Sequence, residues 1–311
     1  MTFLLITALA LVSAALAVSY ITFRIAFYSP VKNRKSAEYY VGSEPKDDNE
    51  RTIRGLTSEL LERECESVEI TSFDGLKLHG KYYYVSSTAP VEIAFHGYRS
   101  AAQRDFCGGS KISLNNGINL LLVEQRSHGQ SAKKVITFGI KERYDCLCWA
   151  NYAARRFGKE TKIILSGVSM GAATVLMASN LALPENVCGI IADCPYSSPK
   201  EIIKKTCRDR GYPADVIYPF IKLGARIFGG FRLEESSPIK AVRDTEIPVL
   251  IIHGEADDFV PCSMGKRIYD ACKSEKYLFT VPEASHAMSY IVDSDGYEKC
   301  VKTFFERILN K

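Results

Sequence analysis

The sequence predicts an α/β fold in which a mostly parallel sheet is covered by helices on both faces. From about residue 66 onward, short apolar runs alternate with segments of helical pattern. These runs are continuous rather than alternating with polar residues, which is typical of parallel strands buried on both faces. About 250–260 residues remain after an apolar N-terminal segment, which suits one α/β domain with a large core.

The predicted elements follow one another along the chain. Residues 67–85 have the pattern of a β-hairpin that turns at Asp74-Gly75, a dipeptide that favours tight turns. Helical patterns lie between most of the later strands, for example at 141–157 and 170–182. Six apolar runs are predicted strands: 91–95, 118–123, 162–167, 187–192, 247–252 and 276–281.

One connection is much longer than the others. About fifty residues separate Asp193 from Ile247, and loops of this length in compact domains usually serve a function. We predict a small helical cap at about 197–241. Its segment 217–228 mixes apolar, aromatic and basic residues. That mixture suits a lid over an acyl pocket, a face resting on lipid headgroups, or an ordinary helix packed on the domain.

The N-terminus has the pattern of a membrane anchor. The first 23 residues carry no charged side chain, and a transmembrane helix needs ~20 apolar residues. A cleaved signal peptide followed by secretion is the alternative, because Ala15-Leu16-Ala17 resembles a small-residue cleavage site. The basic residues near this segment all follow it: Arg24, Lys32, Arg34 and Lys35.

The positive-inside tendency places the side that follows the apolar segment in the cytoplasm. We therefore expect a single-pass cell-membrane protein with a transmembrane anchor at 1–28, a polar juxtamembrane linker at 29–52 and one folded domain at 53–311. Ten cysteines are scattered along the chain without zinc-ligand spacing, which fits a reducing compartment. The net charge of +4 is small and spread out, so nucleic-acid binding has little support.

The motif Gly167-Val168-Ser169-Met170-Gly171 carries the strongest chemical signal. It directly follows a predicted strand and precedes a helix rich in small residues. A sharp strand-to-helix turn strains the serine and needs glycines on both sides, because neighbouring backbones approach closely. We predict a nucleophile elbow with Ser169 as the nucleophile, positioned by Gly167 and Gly171.

A serine nucleophile needs a base. Of the five histidines, His286 lies in the loop 282–288, after the last predicted strand and before the final helix. The chain order Ser, acid, His places the base there. His96 and His253 end apolar runs and precede a glycine; we expect His96 to be structural.

The orienting acid should follow a strand between Ser169 and His286. At 253–261 the sequence reads HGEADDFVP, and with it the chain resembles the α/β-hydrolase superfamily of esterases, lipases and related peptidases. In that family H-G-x-x-D-x-x-V-P carries the triad acid, which the resemblance assigns to Asp257. Asp193 and Asp258 stay open as alternatives.

The resemblance also implies the oxyanion hole, which needs two backbone N–H groups. One is the N–H of Met170, next to the nucleophile. Residues 95–100 resemble the family's H-G motif, by which the second donor is the N–H of Tyr98. The resemblance covers roughly residues 66–311 and looks most like membrane-tethered bacterial hydrolases and their anchored eukaryotic esterase relatives.

The resemblance implies a serine hydrolase that cleaves carboxylic esters, including acyl-lipid esters and thioesters, through an acyl-enzyme. We expect a small-molecule or lipid ester as substrate and no metal or organic cofactor. A serine peptidase of the same fold is the alternative. A non-catalytic binding protein is less favoured, because Ser169, Asp257 and His286 are all present. The sequence specifies neither the physiological substrate nor the oligomeric state.

Overall fold

An eight-stranded sheet forms the centre of the molecule in the computed structural model, which describes residues 1–310. The strand order is β1-β2-β4-β3-β5-β6-β7-β8. β2 is antiparallel to β1 and β4, and all other neighbours are parallel. The predicted fold class is confirmed. The strands are β1 Glu66–Thr71, β2 Lys77–Tyr83, β3 Val91–Phe95, β4 Asn119–Val123, β5 Ile163–Val168, β6 Val187–Asp193, β7 Val249–Gly254 and β8 Lys276–Val281.

Helices fill most of the connections between these strands. A 3-10 turn lies at Val31–Asn33. The α-helices are α1 Thr2–Ala26, α2 Ala37–Gly42, α3 Asp48–Leu61, α4 Ala102–Asp105, α5 Cys107–Asn115, α6 Glu142–Phe157, α7 Met170–Ala178, α8 Pro199–Asp209, α9 Ala214–Ile227, α10 Pro238–Ala241, α11 Cys262–Ala271, α12 Ser289–Val292 and α13 Ser294–Leu309.

Both faces of the sheet are covered because the strand residues are apolar on both sides. On one face, Leu165 packs in a cluster with residues of α6 and α7, including the fully buried Trp149. On the other, Ile164 packs with residues of α5 and α13, including Phe304. Successive strand residues point to opposite faces, so a continuous apolar run supplies two cores.

The predicted strands agree with the observed ones to within a residue or two. The largest shift is in β7, predicted at 247–252 and observed at Val249–Gly254. Pro248 delays its start, because proline lacks the N–H that a central strand donates to its neighbour.

α1 is an apolar helix of 25 residues, and its first half is exposed on all sides. By length and composition it qualifies to cross a membrane, and an N-terminal signal sequence passes the same test. Its last part packs on the domain, where Phe23 and the following Phe27 are buried. α9 lies against it, and a Cβ at Gly224 would overlap the carbonyl oxygen of Ser19.

The segment 29–52, which the sequence analysis treats as a linker, contains α2 and the first turn of α3. Capping side chains start both helices: Ser36 accepts a hydrogen bond from the N–H of Tyr39, and Asp47 accepts one from the N–H of Glu50. Both helices pack against α4. The buried side of α3 is narrow, at Ile53, Thr57 and Leu60. Because the rest of this segment is polar, its composition resembles that of a linker.

Candidate active site

Ser169 stands at the turn between β5 and α7 with φ 56° and ψ −112°. This left-handed conformation is strained for a residue with a side chain. The glycines around it leave room for the turn. A Cβ at Gly167 would overlap the backbone of Gly171, and a Cβ at Gly171 would overlap the carbonyl oxygen of Phe95. The local sequence therefore produces the sharp turn that the motif predicts.

Ser169, His286 and Asp257 form one chain of hydrogen bonds. His286 Nε2 lies 2.9 Å from Ser169 Oγ, and His286 Nδ1 lies 2.7 Å from Asp257 Oδ2. An ionised carboxylate only accepts hydrogen bonds, so the proton of the neutral imidazole lies on Nδ1. Nε2 is then the acceptor for the serine hydroxyl. The structure thus brings together the three side chains predicted from separate loops.

The environment of Asp257 keeps its carboxylate ionised. Burial alone would raise the pKa of Asp257, but hydrogen bonds from His253 and His286 and from the N–H of Val260 outweigh burial and lower it to about 2. Oδ1 accepts from the N–H groups of Phe259 at 3.0 Å and of Val260 at 2.7 Å. These two bonds leave Oδ2 directed at the histidine.

The two alternative acids make side-chain or backbone contacts with other partners than His286. Asp258 is exposed, and Lys205 donates to its backbone carbonyl. Asp193 is buried at the end of β6, where Tyr297 Oη donates to its Oδ2 at 3.1 Å and its Oδ1 has no hydrogen-bond partner within the described residues. Burial raises the pKa of Asp193 to about 6, despite the opposing charges of His253 and His286 and the bond from Tyr297.

The loop after β3 lies beside Ser169. A Cβ at Gly97 would be 3.5 Å from Ser169 Cβ, so the backbone here passes close to the serine side chain. Asp105 of α4 restrains this loop through two hydrogen bonds. Its Oδ2 accepts from the N–H of Gly97 at 2.7 Å, and its Oδ1 accepts from Ser100 Oγ at 2.6 Å. Tyr98 lines the same cavity as Ser169, while the N–H of Met170 lies at the start of α7.

Two neutral histidines support the same loop. His128 Nε2 accepts from the N–H of Arg99 at 2.9 Å, while its Nδ1 donates to the carbonyl of Arg126 at 3.0 Å. His96, buried beneath the loop, has Nδ1 2.8 Å from the carbonyl oxygen of Gly97. Burial lowers the pKa of both imidazoles. His96 is in contact with backbone rather than with Ser169, as expected for a structural residue.

A cavity of 330 Å³ opens beside Ser169 and His286, within the range of small-ligand sites. Its walls come from the loop after β3, from α5, from the region before α13 and from the N-terminal helices. Tyr40 of α2 and Ile53 of α3 line it, and through Tyr40 the segment 29–52, expected as a linker, contributes to the cavity. Apolar and aromatic members of the lining include Phe106, Met288, Tyr290 and Ile291.

No residue of 197–241 is in the described lining of this cavity. The buried side of α9 packs instead against the domain and α1 through residues such as Tyr218, Ile221 and Ala225. Of the interpretations left open for this insert, a lid over the cavity therefore receives no support from the observed packing.

Cys194 Sγ, Asp257 and His286 place ligand-type atoms within 4.8 Å of one another. The short bond between His286 Nδ1 and Asp257 requires a proton on that nitrogen, and a protonated nitrogen does not bind a metal. Nε2 is engaged by Ser169. Both nitrogens of the His286 imidazole are thus hydrogen-bonded, one to Asp257 and one to Ser169. This arrangement suits proton transfer rather than metal binding.

The fold and the serine–histidine–aspartate arrangement are those of the α/β-hydrolase superfamily of serine hydrolases. The model of the prolyl oligopeptidase family matches residues 137–311, more than half of the chain. The chain belongs to the prolyl oligopeptidase family. It is 30% identical over 198 residues to the uncharacterized protein YqkD of Bacillus subtilis (strain 168), covering 63% of this chain and 65% of YqkD, so just under two thirds of that relative is spanned.

Solved structures share the fold at lower identity. An esterase of Pyrococcus furiosus superimposes with a TM-score of 0.67 at 24% identity, covering 80% of this chain and 93% of the esterase. The acylaminoacyl peptidase of Pyrococcus horikoshii gives a TM-score of 0.60 at 19% identity, covering 82% of this chain and 43% of the peptidase. Esterases and peptidases thus share this architecture, so the fold does not distinguish between these substrate classes. An argument about the substrate has to rest on the residues of the site.

Proposed function

We propose that the protein hydrolyses carboxylic esters, including acyl-lipid esters and thioesters, through an acyl-enzyme on Ser169. The observation that carries the proposal is the hydrogen-bond chain from Asp257 through His286 to Ser169, with bonds of 2.7 and 2.9 Å. These are distances at which a base accepts a proton from a nucleophile. Residues 53–311 would form the catalytic unit, with α2 of the preceding segment contributing to its pocket.

In the proposed reaction His286 Nε2 takes the hydroxyl proton as Ser169 Oγ forms a bond to the substrate carbonyl carbon. Asp257 stays ionised and stabilises the imidazolium. The N–H groups of Met170 and Tyr98 stabilise the oxyanion. The imidazolium then gives its proton to the departing alcohol or thiol as the carbonyl–oxygen or carbonyl–sulfur bond breaks. Water repeats the sequence on the acyl-enzyme and releases the acid.

The cavity lining favours an ester with an apolar acyl group over a peptide. Side chains such as Ile53, Phe106 and Met288 offer apolar contact. The described lining has two carboxylates: Asp105 is bonded to Gly97, Ser100 and Arg104, and Asp193 is buried and bonded to Tyr297. Neither is an exposed carboxylate of the kind that would pair with a free peptide amino terminus. Peptide hydrolysis remains the second candidate because of the family to which the chain belongs.

A matched substrate panel separates the two candidates. Each acyl group is presented to the purified full-length protein as a p-nitrophenyl ester, a thioester and a p-nitroanilide. We expect kcat/KM to rise with acyl length for the esters and thioesters, and anilide turnover to be weak. Preferential cleavage of aminoacyl or peptidyl anilides would contradict ester hydrolysis and favour the peptidase.

We further propose that α1 stays attached as a single-pass anchor, with the hydrolase domain in the cytoplasm. The four nearby basic residues all follow the apolar segment, and the ten cysteines are all free thiols. Intact-mass analysis should find residues 1–17 present. Protease added to sealed cells should leave the domain intact, and should digest it after detergent treatment. A mature chain beginning near Val18 would contradict this topology.

The exposed side of α9 suits the membrane surface beside this anchor. Val216, Leu223 and Ile227 are spaced by seven and four residues, lie on one side of the helix and are exposed. They flank Gly224, the residue in contact with α1 at Ser19. We propose that this apolar stripe contacts lipid next to α1, as amphipathic interfacial helices do.

A further inference from the structure

The loop proposed to hold the oxyanion is bonded to the end of the membrane-type helix α1. Tyr98 Oη donates to the carbonyl oxygen of Ala26 at 2.7 Å. Arg99 Nη2 donates to the carbonyl oxygens of Ile25 and Tyr28, both at 3.0 Å. Two consecutive residues of the loop thus engage three backbone carbonyl groups within four residues, at the point where α1 ends.

Helix chemistry explains why this contact forms. The last carbonyl groups of an α-helix lack partners within the helix and carry partial negative charge. A tyrosine hydroxyl and a guanidinium supply the missing donors, and the positive charge of Arg99 suits the negative helix end. The Arg99 guanidinium also lies 4.9 Å from the centre of the Tyr98 ring, so the two side chains brace each other.

The end of α1 is itself firmly held. Phe27, directly after the helix, is fully buried and packs edge-on against Phe138 and Phe231. Its carbonyl accepts from the N–H of Ile136 at 2.8 Å. The Tyr98 ring stacks at 5.1 Å on the same Phe138. α1 therefore presents its carbonyl groups from a fixed position relative to the core.

The loop, in contrast, needs support. Arg99 has φ 53°, a conformation that costs energy for any residue other than glycine and persists only where the surroundings enforce it. The peptide of Tyr98 lies between Gly97, whose N–H is fixed by Asp105, and Arg99, whose N–H is fixed by His128. The carbonyl of Gly97, in the same peptide group as the Tyr98 N–H, lies 2.8 Å from His96 Nδ1. The bonds to α1 add a restraint on the other side of the residue, through the Tyr98 side chain.

We propose that the carboxyl end of α1 is part of the catalytic apparatus, because it fixes the Tyr98 peptide in the orientation that stabilises the oxyanion. The Tyr98 hydroxyl and the Arg99 guanidinium are then positioning residues, which act through the backbone N–H of Tyr98. This inference rests on the proposed function. It gives α1 a role in turnover besides attachment, and it applies whether the anchor is retained or cleaved near Val18, because the contacts all lie after that point.

The test uses the full-length protein and two variants, Tyr98→Phe and Arg99→Gln, with Tyr20→Phe and Arg51→Gln as matched controls. The controls make the same chemical changes away from the loop, at Tyr20 of α1 and at Arg51 of α3, which pairs with the exposed Asp48. We expect Tyr98→Phe to lower kcat about 10-fold, since small misplacements of a catalytic group cost one to two orders of magnitude, with KM little changed. Arg99→Gln should act in the same direction, and the controls should match the wild type.

A second readout separates positioning from general stability. A trifluoromethyl ketone inhibitor forms an oxyanion on the enzyme, so its affinity should fall in each variant by the same factor as kcat. Thermal unfolding of the variants reports whether they are folded; if Tyr98→Phe does not fold, Arg99→Gln decides. Unchanged kcat and inhibitor affinity, or a raised KM alone, would overturn the inference. Failure of the proposed function would instead appear as an inactive wild type or an active Ser169→Ala.

Discussion

Asp257 and His286 are joined by a 2.7 Å hydrogen bond although 29 residues separate them in the chain. The bond directs Nε2 of the imidazole at Ser169 Oγ. A second buried carboxylate, Asp193, ends the neighbouring strand β6 but makes its hydrogen bond with Tyr297 instead. From this difference in hydrogen bonding we expect Asp257, and not Asp193, to support catalysis, and the two residues to respond differently to the same substitution.

Asp257→Asn should lower kcat on the order of 10⁴-fold, by analogy with the serine-protease triad, because an amide favours the wrong histidine tautomer. Asp193→Asn is the matched control and should leave kcat within a few-fold of the wild type. Steady-state kinetics on one activated ester measures both. If Asp193→Asn were nearly inactive and Asp257→Asn active, the orienting acid would be Asp193, at the end of β6, and the assignment to Asp257 would be wrong.

Asp193 should also affect stability in a pH-dependent way. Its pKa of about 6 in the folded protein exceeds the ordinary unfolded value near 4. The unfolded chain therefore releases this proton first, and the wild type loses stability as pH rises from about 4 to 6. Asp193→Asn removes that loss, so it should be more stable by up to about 3 kcal/mol at pH 8 and no more stable at pH 3.5.

Urea unfolding at the two pH values measures this difference. The wild type and Asp193→Asn should have similar midpoints at pH 3.5 and diverge above pH 6. An equal effect at both pH values would mean that the pKa of Asp193 is unshifted by folding, and a variant destabilised mainly at pH 8 would mean that the carboxylate is charged and stabilising. Either result would contradict the raised pKa.

The elbow glycine Gly171 should tolerate no side chain. A Cβ there overlaps the carbonyl oxygen of Phe95, a backbone atom of a central strand that cannot move aside. We expect Gly171→Ala to cost roughly 3 kcal/mol or more, at the upper end of overpacking effects, and to abolish activity. Gly55→Ala, on the exposed side of α3 with no atom near its Cβ, should gain about 0.5–1 kcal/mol.

Thermal and urea unfolding of the two alanine variants report the difference. The contrast is informative because the chemical change is identical and only the surroundings differ. A stable, active Gly171→Ala would show that the turn relaxes more easily than the close approach of β3 implies.

The apolar stripe of α9 should contact lipid. Tryptophan placed at Leu223 or Ile227 in protein reconstituted into vesicles with brominated phospholipid should be quenched. The native Trp149 is buried and contributes a constant background. Leu9→Trp on α1 is the positive control, and Tyr84→Trp, exposed at the opposite edge of the sheet from the site, is the negative control.

The outcomes separate two claims. Quenching at position 9 without quenching at 223 and 227 would leave α1 in the membrane and contradict the proposal for α9. An absence of quenching at position 9 would contradict membrane attachment itself.

The fold and the three side chains of the hydrogen-bond chain were predictable because their signals are local. Continuous apolar runs mark the buried strands, and Ser169, Asp257 and His286 each follow one of them in a short motif. Carboxyl ends of parallel strands meet at one edge of the sheet, so the motifs converge even though the chain order separates them.

The supporting contacts were not predictable in the same way. Tyr98 meets Ala26 across 72 residues, and Arg99 meets His128 across 29. Neither hydrophobic periodicity nor a sequence motif predicts that a side chain will bond to a backbone group far away in the chain. The contribution of Tyr40 and Ile53 to the cavity was likewise hidden, because α2 and α3 are short and mostly polar on their exposed sides.

The central claim is that Ser169 is the nucleophile, and covalent labelling tests it most directly. The purified full-length protein is treated with a fluorophosphonate probe, and the modified peptide is identified by mass spectrometry. We expect one modification, on Ser169, that disappears together with ester turnover in a Ser169→Ala protein of unchanged thermal stability. Labelling of another serine, or turnover that persists in folded Ser169→Ala, would contradict it.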